Sequence, residues 1–255
     1  MNKYVENLNR IEFVITFACT GRCKHCSEGD HAGSGIHIDA DTAEKAVREV
    51  AGTYQIDSVM TFGGEPLLYP ETVYAVHLAA KEMNIPKRQL ITNGFFSKDS
   101  AKIKTVANKL VESGVNDICL SVDAFHQETI PLEMVKEFAI ELKKTGVHLR
   151  VHPAWLVSKE HDNPYNKRTR EIIAEFEGLG ILSSDGNVII PRGNAIKYLS
   201  DYYDMSKEYE NPYDENPEDI RAICFSPDGA VLDGNIYQTG ILEILEKYEP
   251  KWEMD

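Results

Sequence analysis

The sequence predicts an α/β fold, a partial (β/α)6 barrel of the TIM-like kind, followed by a small C-terminal extension made of a β-hairpin and a helix. Short β-rich runs alternate with helical stretches from about residue 11 to residue 190. Apolar residues in the helical stretches recur every three to four positions, as on the buried face of an amphipathic helix. Six strand-helix repeats are too few for the eight of a complete barrel, so we expect a partial barrel or an open sheet.

Six runs rich in β-branched and aromatic residues are the predicted strands. They cover Ile11–Phe17, Ile56–Phe62, Arg88–Asn93, Asp117–Asp123, Val147–His152 and Asn187–Ile190. Helical periodicity lies between them, with apolar positions at Ala43, Val47 and Val50, at Ile103, Val106, Ala107 and Leu110, and at Val135, Phe138, Ala139 and Leu142. Repeats of strand, helix and strand predict a parallel sheet.

Polar residues occupy every second position of the fourth and fifth predicted strands. The fifth carries His148, Arg150 and His152, and the fourth carries Ser121 and Asp123 near its end. A parallel strand covered by helices on both faces would be apolar throughout. We therefore predict that one face of the sheet lines a cleft, with the site at the carboxyl ends of the strands.

The chain divides into a predicted core at residues 1–195, a loop or linker at 196–221 and an extension at 222–255. The linker is rich in acids, Tyr, Asn and Pro, which is typical of an exposed loop, although a lid or a dock for a basic substrate remains open. The extension has turn signals at Pro227-Asp228-Gly229 and Asp233-Gly234-Asn235, which predict a hairpin. A closing helix is expected at about 240–248.

Composition narrows the function classes. The 255 residues include 41 acidic and 27 basic ones, a formal net charge of −14. Nucleic-acid binding depends on Lys and Arg neutralising phosphates, so we expect no nucleic-acid partner. The first ten residues lack the apolar stretch of a secretory signal, and no apolar run approaches the roughly 18 to 20 residues of a membrane span. These features predict a cytoplasmic protein without a membrane partner.

Three of the five cysteines, Cys19, Cys23 and Cys26, lie within eight residues, directly after the first predicted strand. Three thiolates on one loop can hold three irons of a cubane cluster and leave the fourth iron without a protein ligand. The alternative is a structural zinc site, which takes four ligands and usually two separated pairs. His25 could join such a site, although its neighbour Cys26 makes the geometry cramped.

A second motif, Gly63-Gly64-Glu65-Pro66, follows the second predicted strand and so belongs to the same edge of the sheet. The two glycines would allow a ligand to approach the backbone closely, and Glu65 would accept hydrogen bonds from a ligand ammonium group. Taken alone, the motif could be an ordinary turn.

Together the two motifs resemble the radical S-adenosylmethionine (radical SAM) superfamily, whose signature is a CxxxCxxC loop after the first strand and a GGE turn after the second. The resemblance covers about Ile11 to Pro191. It implies an enzyme with one 4Fe–4S cluster on the three cysteines. It also implies that Glu65 and the glycine backbone hold the ammonium of S-adenosylmethionine, and that the cofactor is cleaved to a 5′-deoxyadenosyl radical that abstracts hydrogen from a substrate.

Weaker matches extend the cofactor site. The resemblance places Asn93, Ser121 and Asp123 near the ribose or the methionyl carboxylate, and Arg150 is a candidate partner for that carboxylate. The family usually has an aromatic residue before the third cysteine, where this chain has His25, whose imidazole could still lie against adenine. Such polar residues could also simply cap loops.

The expectation for the substrate comes from the C-terminal extension. Residues 222–238 resemble the start of a SPASM extension, found in peptide-modifying radical enzymes, but Cys224 alone remains of its cluster-binding cysteines. A peptide or protein side chain is therefore the first expectation, with flavodoxin or ferredoxin as electron donor. A small metabolite, a glycyl-radical activating enzyme, and a non-enzymatic structural or sensory cluster or zinc protein are the alternatives.

Overall fold

The computed structural model describes residues 2–29 and 35–251. The predicted domain limits at residue 1 and at 252–255 fall outside this part of the chain. Within it, no helix combines the length and the apolar character needed to cross a membrane.

A six-stranded parallel sheet forms the centre of the molecule. In chain order its strands are β1 (Arg10–Val14), β2 (Ser58–Phe62), β3 (Lys87–Thr92), β4 (Asp117–Leu120), β5 (His148–Val151) and β8 (Ala222–Phe225). The order across the sheet is β5-β4-β3-β2-β1-β8. The predicted fold class, an α/β partial barrel of six parallel strands, is confirmed. β1, β3, β4 and β5 end one to three residues earlier than predicted, because the chain there turns into loops that carry the functional residues.

The prediction of the sixth strand was wrong. Residues Asn187–Val188 form β7, which pairs with β6 (Ala154–Trp155) in a separate two-stranded sheet beyond β5. The sixth strand is β8, which pairs in parallel with β1 and was expected in the hairpin. The physical reason is burial: Phe225 stacks on Phe13 at 4.6 Å between ring centroids, and the pairing covers an otherwise open edge. The hairpin itself is reduced to β9 (Ala230–Val231) and β10 (Gly234–Asn235).

Helices cover one face of the sheet. They are α1 (Ala40–Thr53), α2 (Pro70–Glu82), α3 (Ser100–Glu112), α4 (Ala124–Gln127), α5 (Leu132–Thr145), α6 (Pro164–Gly178), α7 (Asn194–Leu199) and α8 (Ile241–Lys247), with 3-10 turns at Pro66–Leu68 and Ser200–Tyr202. Side chains of Asp39, Asp99 and Asn163 accept hydrogen bonds from the first turns of α1, α3 and α6, which satisfies N–H groups that have no helical partner. The predicted closing helix is confirmed as α8.

The two faces of the sheet differ in chemistry. On the helix side, Ile11, Phe13, Leu90, Ile118 and other fully buried residues belong to one apolar core with the helices. We call the opposite face the inner face. Two rows of residues that lie side by side on neighbouring strands define it, and the rows are two positions apart along the strands. The first row is Cys224, Glu12, Met60, Gln89, Asp117 and His148, and the second is Ile91, Cys119 and Arg150. The polar face predicted for the fourth and fifth strands is therefore present.

Candidate active site

A cavity of about 110 Å³ lies where the loop after β1 meets the carboxyl ends of β2, β3 and β4. It is lined by Cys19, Gly21, Cys23, His25, Cys26, Gly63, Gly64, Ile91, Thr92, Asn93, Ser121 and His126. Eight of the eleven predicted site residues thus share one cavity, and Glu65, Asp123 and Arg150 do not line it. The convergence of loops that are far apart in sequence is what parallel topology produces at this edge.

The three thiols face this cavity from one loop. Cys23 is buried, while Cys19 and Cys26 are partly exposed. Burial raises the pKa of Cys19 to about 11 and also raises those of Cys23 and Cys26. Thiols of this kind ionise only when a cation binds, because the metal replaces the lost solvation of the thiolate. The backbone N–H of Gly21 (3.3 Å) and the amide Nδ2 of Asn93 (3.5 Å) donate to Cys19 Sγ and would stabilise that thiolate.

The two glycines of the GGE turn pack against the end of β1, and their predicted approach to a ligand stays a prediction. A Cβ on Gly63 would lie 2.5 Å from Thr16 O, and one on Gly64 would lie 2.3 Å from Ala18 O. The glycines therefore let the turn pack directly on the end of β1. The N–H groups of Gly64 and Glu65 donate to Thr16 O and Ala18 O, both at 2.8 Å. The turn can offer a ligand carbonyl oxygens rather than N–H groups, which suits an ammonium donor.

We expect Gly64→Ala to lower the free energy of unfolding by about 2 to 3 kcal/mol, because the added carbon meets backbone that cannot move independently. The matched control is Gly52→Ala in α1, where a Cβ meets nothing within 4 Å. That change should be neutral or stabilising by up to about 1 kcal/mol, since Ala has the higher helix propensity. Urea unfolding followed by circular dichroism measures both. Equal effects of the two substitutions would contradict the packing role of Gly64.

Glu65 is fully buried. Its Oε1 accepts from Leu67 N (2.9 Å) and Thr92 Oγ1 (2.7 Å), and Oε2 accepts from Asn93 N (2.8 Å). Burial raises its pKa to about 7, against the opposing effect of these donors. The carboxylate thus ties the turn after β2 to the end of β3. A direct contact between Glu65 and a cofactor ammonium stays a prediction.

Asn93 and Ser121 lie at the cavity as predicted. Asn93 is anchored by its Oδ1, which accepts from Phe95 N at 2.8 Å, so its Nδ2 is directed to the cysteine loop, where it donates to Thr20 Oγ1 at 3.2 Å. Ser121 N donates to Thr92 O at 2.8 Å, which fixes the chain as it leaves β4. The Asn93 side chain is thus positioned by a backbone donor, as expected of a group that orients a ligand, and Ser121 is held through its backbone.

Asp123 does not line the cavity but holds a residue that does. It is fully buried and caps α4, accepting from the N–H groups of Phe125 (2.9 Å) and His126 (3.0 Å). Its other oxygen accepts from Ala154 N (3.0 Å) and pairs with His126 Nδ1 (2.8 Å). Burial alone would raise the pKa of Asp123, but His126 holds it well below its usual range.

His126 is the site residue that the sequence analysis missed. It lines the cavity with its ring edge-on to His25, at 4.8 Å between centroids. The signal that could have found it is the Asp-x-x-His spacing at a helix start, which brings the two side chains together. His25 also contacts Phe125, at 5.1 Å and a ring angle of 44°. Burial lowers the pKa of His25 to about 4, so its imidazole is neutral.

Arg150 lies on the inner face, away from the cavity, and is already paired. Its guanidinium donates to both oxygens of Asp117, at 3.1 Å for the Nη2 contact. His148 Nδ1 (2.9 Å) and Gln89 Nε2 (2.8 Å) also contact Asp117. Burial opposes ionisation of Asp117, but Arg150 and His148 lower its pKa overall. The predicted contact of Arg150 with a cofactor carboxylate would require this pair to separate.

The start of α7 holds the cysteine loop. The backbone N–H of Asn194 donates to Cys26 O (2.9 Å), and its side-chain amide donates to Cys23 O (3.1 Å) and Gly29 O (3.3 Å). A Cβ on Gly193 would lie 2.3 Å from Ser27 O. The loop therefore keeps its shape through contacts with residues about 170 positions later.

Sequence comparison assigns the chain to a family. The sequence profile of the Radical SAM superfamily matches residues 13–192, which includes both motifs and all the cavity residues. The chain belongs to the radical SAM superfamily. As a radical SAM protein it is an enzyme whose cofactors are a 4Fe–4S cluster and S-adenosylmethionine, and the residues at the cavity fit both. Three thiols face one space, and Gly63 and Gly64 of the GGE turn line the same cavity.

Among curated proteins, the chain is similar to a Saccharolobus islandicus protein named "Probable GTP 3′,8-cyclase", with 28% identity over 180 residues, 69% of this chain and 54% of the other. A Clostridium perfringens GTP 3′,8-cyclase is 29% identical over 131 residues, 50% of this chain and 38% of the other. The chain thus spans about half the length, or less, of these radical SAM relatives.

Among solved structures, the fold is similar to Streptococcus suis SuiB bound to S-adenosylmethionine. The TM-score is 0.61 at 14% identity, covering 96% of this chain and 66% of the other. At this identity the similarity concerns the fold.

Proposed function

We propose that this radical SAM enzyme abstracts a hydrogen atom from a peptide or protein side chain, and that the peptide is basic. The observation that carries the proposal is the charge around the site. Arg150 on the inner face and Arg10 at the start of β1 are both paired with carboxylates. Residues 201–219, which reach from near the cysteine loop to the start of β1, are strongly acidic.

The strand residues Arg10, Lys87 and Arg150 are the cations of the inner face among the residues that the structure describes, and each lies within 4 Å of a carboxylate. Arg10 contacts Glu12 at 2.8 Å and Glu215 at 3.6 Å, and Arg150 is engaged with Asp117. A substrate phosphate would have to displace these carboxylates and then leave them unpaired beside itself. A cationic side chain meets no such cost.

The acidic segment, residues 201–219, holds eight acids, one lysine and four tyrosines. Its beginning lies near the cysteine loop, because Tyr202 contacts Tyr165, which stacks on Phe125 beside His25. Its end reaches the start of β1, where Glu215 contacts Arg10. Exposed Tyr202, Met205 and Tyr213 give it apolar area as well as charge. Acids interleaved with aromatic rings suit Lys and Arg side chains through ion pairs and cation–π contacts.

The residues of the chain have distinct tasks in this reaction. Cys19, Cys23 and Cys26 would hold one 4Fe–4S cluster, and the turn at Gly63 and Gly64 would accept hydrogen bonds from the ammonium of S-adenosylmethionine. When bound, these two groups supply the one-electron chemistry that removes a hydrogen atom from substrate. The electron donor in this proposal is a flavodoxin or ferredoxin. Glu65, Asn93 and Asn194 keep the turn and the loop in register, and the buried walls exclude water.

A nucleotide is the second candidate substrate, because the curated relatives are named as GTP 3′,8-cyclases. The net charge of −14 and the paired arginines count against it. The chain also spans only about half of those proteins, so their activity does not follow from the match.

The test is substrate-stimulated formation of 5′-deoxyadenosine by the reconstituted enzyme under anaerobic conditions. Dithionite supplies electrons, and mass spectrometry compares a Lys/Arg-rich peptide pool, a Glu-rich pool of equal length, and GTP. We expect the basic pool alone to stimulate. Replacing exposed Glu208 and Glu210 by Gln should weaken that stimulation about fivefold, since two exposed charge contacts are worth about 1 kcal/mol.

The matched control replaces Glu243 and Glu246 of α8 by Gln, which removes the same charge elsewhere on the surface. It should leave the stimulation unchanged. Stimulation by GTP without any response to peptides would contradict the proposal and establish the nucleotide. An equal response to both peptide pools would remove the role of the acidic segment.

A further inference from the structure

A second set of metal-binding groups overlaps the cysteine loop. One ligand atom each from Cys23, His25 and His126 lie within 4.8 Å of one another. In a tetrahedral zinc site, with Zn–S about 2.3 Å and Zn–N about 2.0 to 2.1 Å, such atoms are about 3.4 to 3.6 Å apart. Side-chain rotations that move the ligand atoms by about 1 Å would therefore bring all three within bonding distance of one ion.

His126 already has the support that a metal-binding histidine needs. Its Nδ1 is 2.8 Å from Asp123 Oδ2, and Asp123 is fixed by two further backbone donors on other residues, Phe125 and Ala154. A carboxylate on one ring nitrogen sets the tautomer and directs the other nitrogen, Nε2, to the ion. Metal-bound histidines commonly have this arrangement.

His25 shows an unmet bonding capacity at the same place. Among the residues that the structure describes, its Nδ1 is buried and has no hydrogen-bond partner. A buried polar atom without a partner is costly, and binding of a cation would remove that cost. Two imidazoles and one thiolate are a ligand set preferred by zinc and similar divalent ions.

We propose that Cys23, His25 and His126 form a mononuclear site for a divalent cation of the zinc type, and that its occupation excludes the iron–sulfur cluster. The two sites share Cys23, so an ion bound there takes one of the three thiolates that the cluster needs. Binding of the ion forms one metal–sulfur bond and releases the thiol proton, without any redox step. The fourth coordination position is open to water or another ligand. The proposal does not depend on the identity of the substrate.

The experiment titrates the cluster-free protein with Co2+, an optical substitute for zinc, under anaerobic conditions. Thiolate-to-metal charge transfer and d–d bands report the ligands. We expect one thiolate and tetrahedral bands in the natural protein. We expect at least about a 100-fold weaker affinity in His126→Asn, since changes of supporting residues alone cost 10- to 100-fold. Preloading with Zn2+ should block cluster assembly in the natural protein and much less so in the variant.

His148→Asn is the matched control, because His148 also pairs with an aspartate, Asp117, at 2.9 Å but lies away from the cysteines. It should bind Co2+ like the natural protein. Circular dichroism verifies that each variant is folded. Unchanged Co2+ affinity in His126→Asn, or charge-transfer intensity of three thiolates, would overturn the proposal. Cluster assembly that proceeds normally on zinc-loaded protein would overturn the exclusion.

Discussion

Replacing Cys23 by Ser will abolish formation of 5′-deoxyadenosine and remove the bound iron. The serine side chain cannot ligate iron as a thiolate does, and the remaining two thiols leave the cluster underligated. We expect activity to fall by more than about 100-fold, the upper end of what changes in supporting residues alone produce. Iron should drop from about four per chain, the content of one 4Fe–4S cluster. Iron analysis and mass spectrometry of the reaction measure both.

Cys119→Ser is the control for this prediction. Cys119 is also buried, but it lies within β4 with Gln89 as its hydrogen-bond partner at 3.2 Å. We expect full iron content and activity in that variant. Retention of activity by Cys23→Ser would refute the cluster site. Iron near eight per chain in the natural protein would instead point to a second cluster and to Cys224.

Replacing Glu65 by Ala will have the largest effect on stability among the predictions. It leaves the N–H groups of Leu67 and Asn93 and the hydroxyl of Thr92 buried without their acceptor. Each donor left without an acceptor lowers the free energy of unfolding by about 1 to 3 kcal/mol. We therefore expect the three together to lower it by about 3 kcal/mol or more. For a chain of this size that corresponds to a melting temperature lower by about 6 to 12 °C. We also expect S-adenosylmethionine to bind at least tenfold more weakly, because the turn that presents the carbonyls is released.

Thr92→Val is the milder comparison with Glu65→Ala, because it removes one of the three donors to Glu65 and keeps the carboxylate. It should lower the free energy of unfolding by about 1 to 3 kcal/mol, because it also leaves the buried N–H of Gly94, which donates to Thr92 Oγ1 at 3.0 Å, without its acceptor. Calorimetric titration with S-adenosylmethionine separates the two effects of Glu65. A lower melting temperature with unchanged affinity would show that Glu65 has only a structural role.

The pH dependence of Glu65 follows from its raised pKa. Burial moves it from 4.5 to about 7 in the folded state, so the folded protein holds a proton that the unfolded chain releases between these values. The contribution of Glu65 to the free energy of unfolding is therefore fully present below about pH 4.5 and is lost as pH rises to about 7. This change amounts to about 3 kcal/mol. Glu65→Gln cannot titrate, so its deficit against the natural protein should be larger at pH 5 than at pH 8. A constant deficit would contradict the raised pKa.

Local patterns in the sequence were sufficient for most of the fold and for the centre of the site. The alternation of strands and helices identified five of the six strands of the sheet, and two short motifs located the cysteine loop and the GGE turn. Both motifs follow strands, and in a parallel sheet the carboxyl ends of strands share one edge. The sequence alone thus places two groups at one edge of the sheet, and the structure shows that they line one cavity: Cys19, Cys23 and Cys26, and Gly63 and Gly64.

Roles that depend on which partner a side chain reaches could not be read in the same way. Glu65 carries the chemistry to bind an ammonium, yet the fold supplies it with three internal donors. Asp123 has the chemistry to bind a ribose, and in the structure it caps α4 and pairs with His126. Arg150 was predicted to contact a cofactor carboxylate, which stays a prediction, and in the structure its guanidinium contacts Asp117. The residue type fixes what a group can bind, whereas the distance to competing partners decides what it does bind.

The sequence by itself therefore determined the fold class, which follows from local periodicity. Two short motifs carried the resemblance to the superfamily, and that resemblance implied the cofactors. Only the tertiary structure decided which segment closes the edge of the sheet beside β1. It also decided that Asn194 holds the cysteine loop and that His126 faces the cavity. Those outcomes depend on contacts between residues up to about 200 positions apart. Burial and hydrogen bonding at such distances are set by how all the elements pack together, and no local pattern records them.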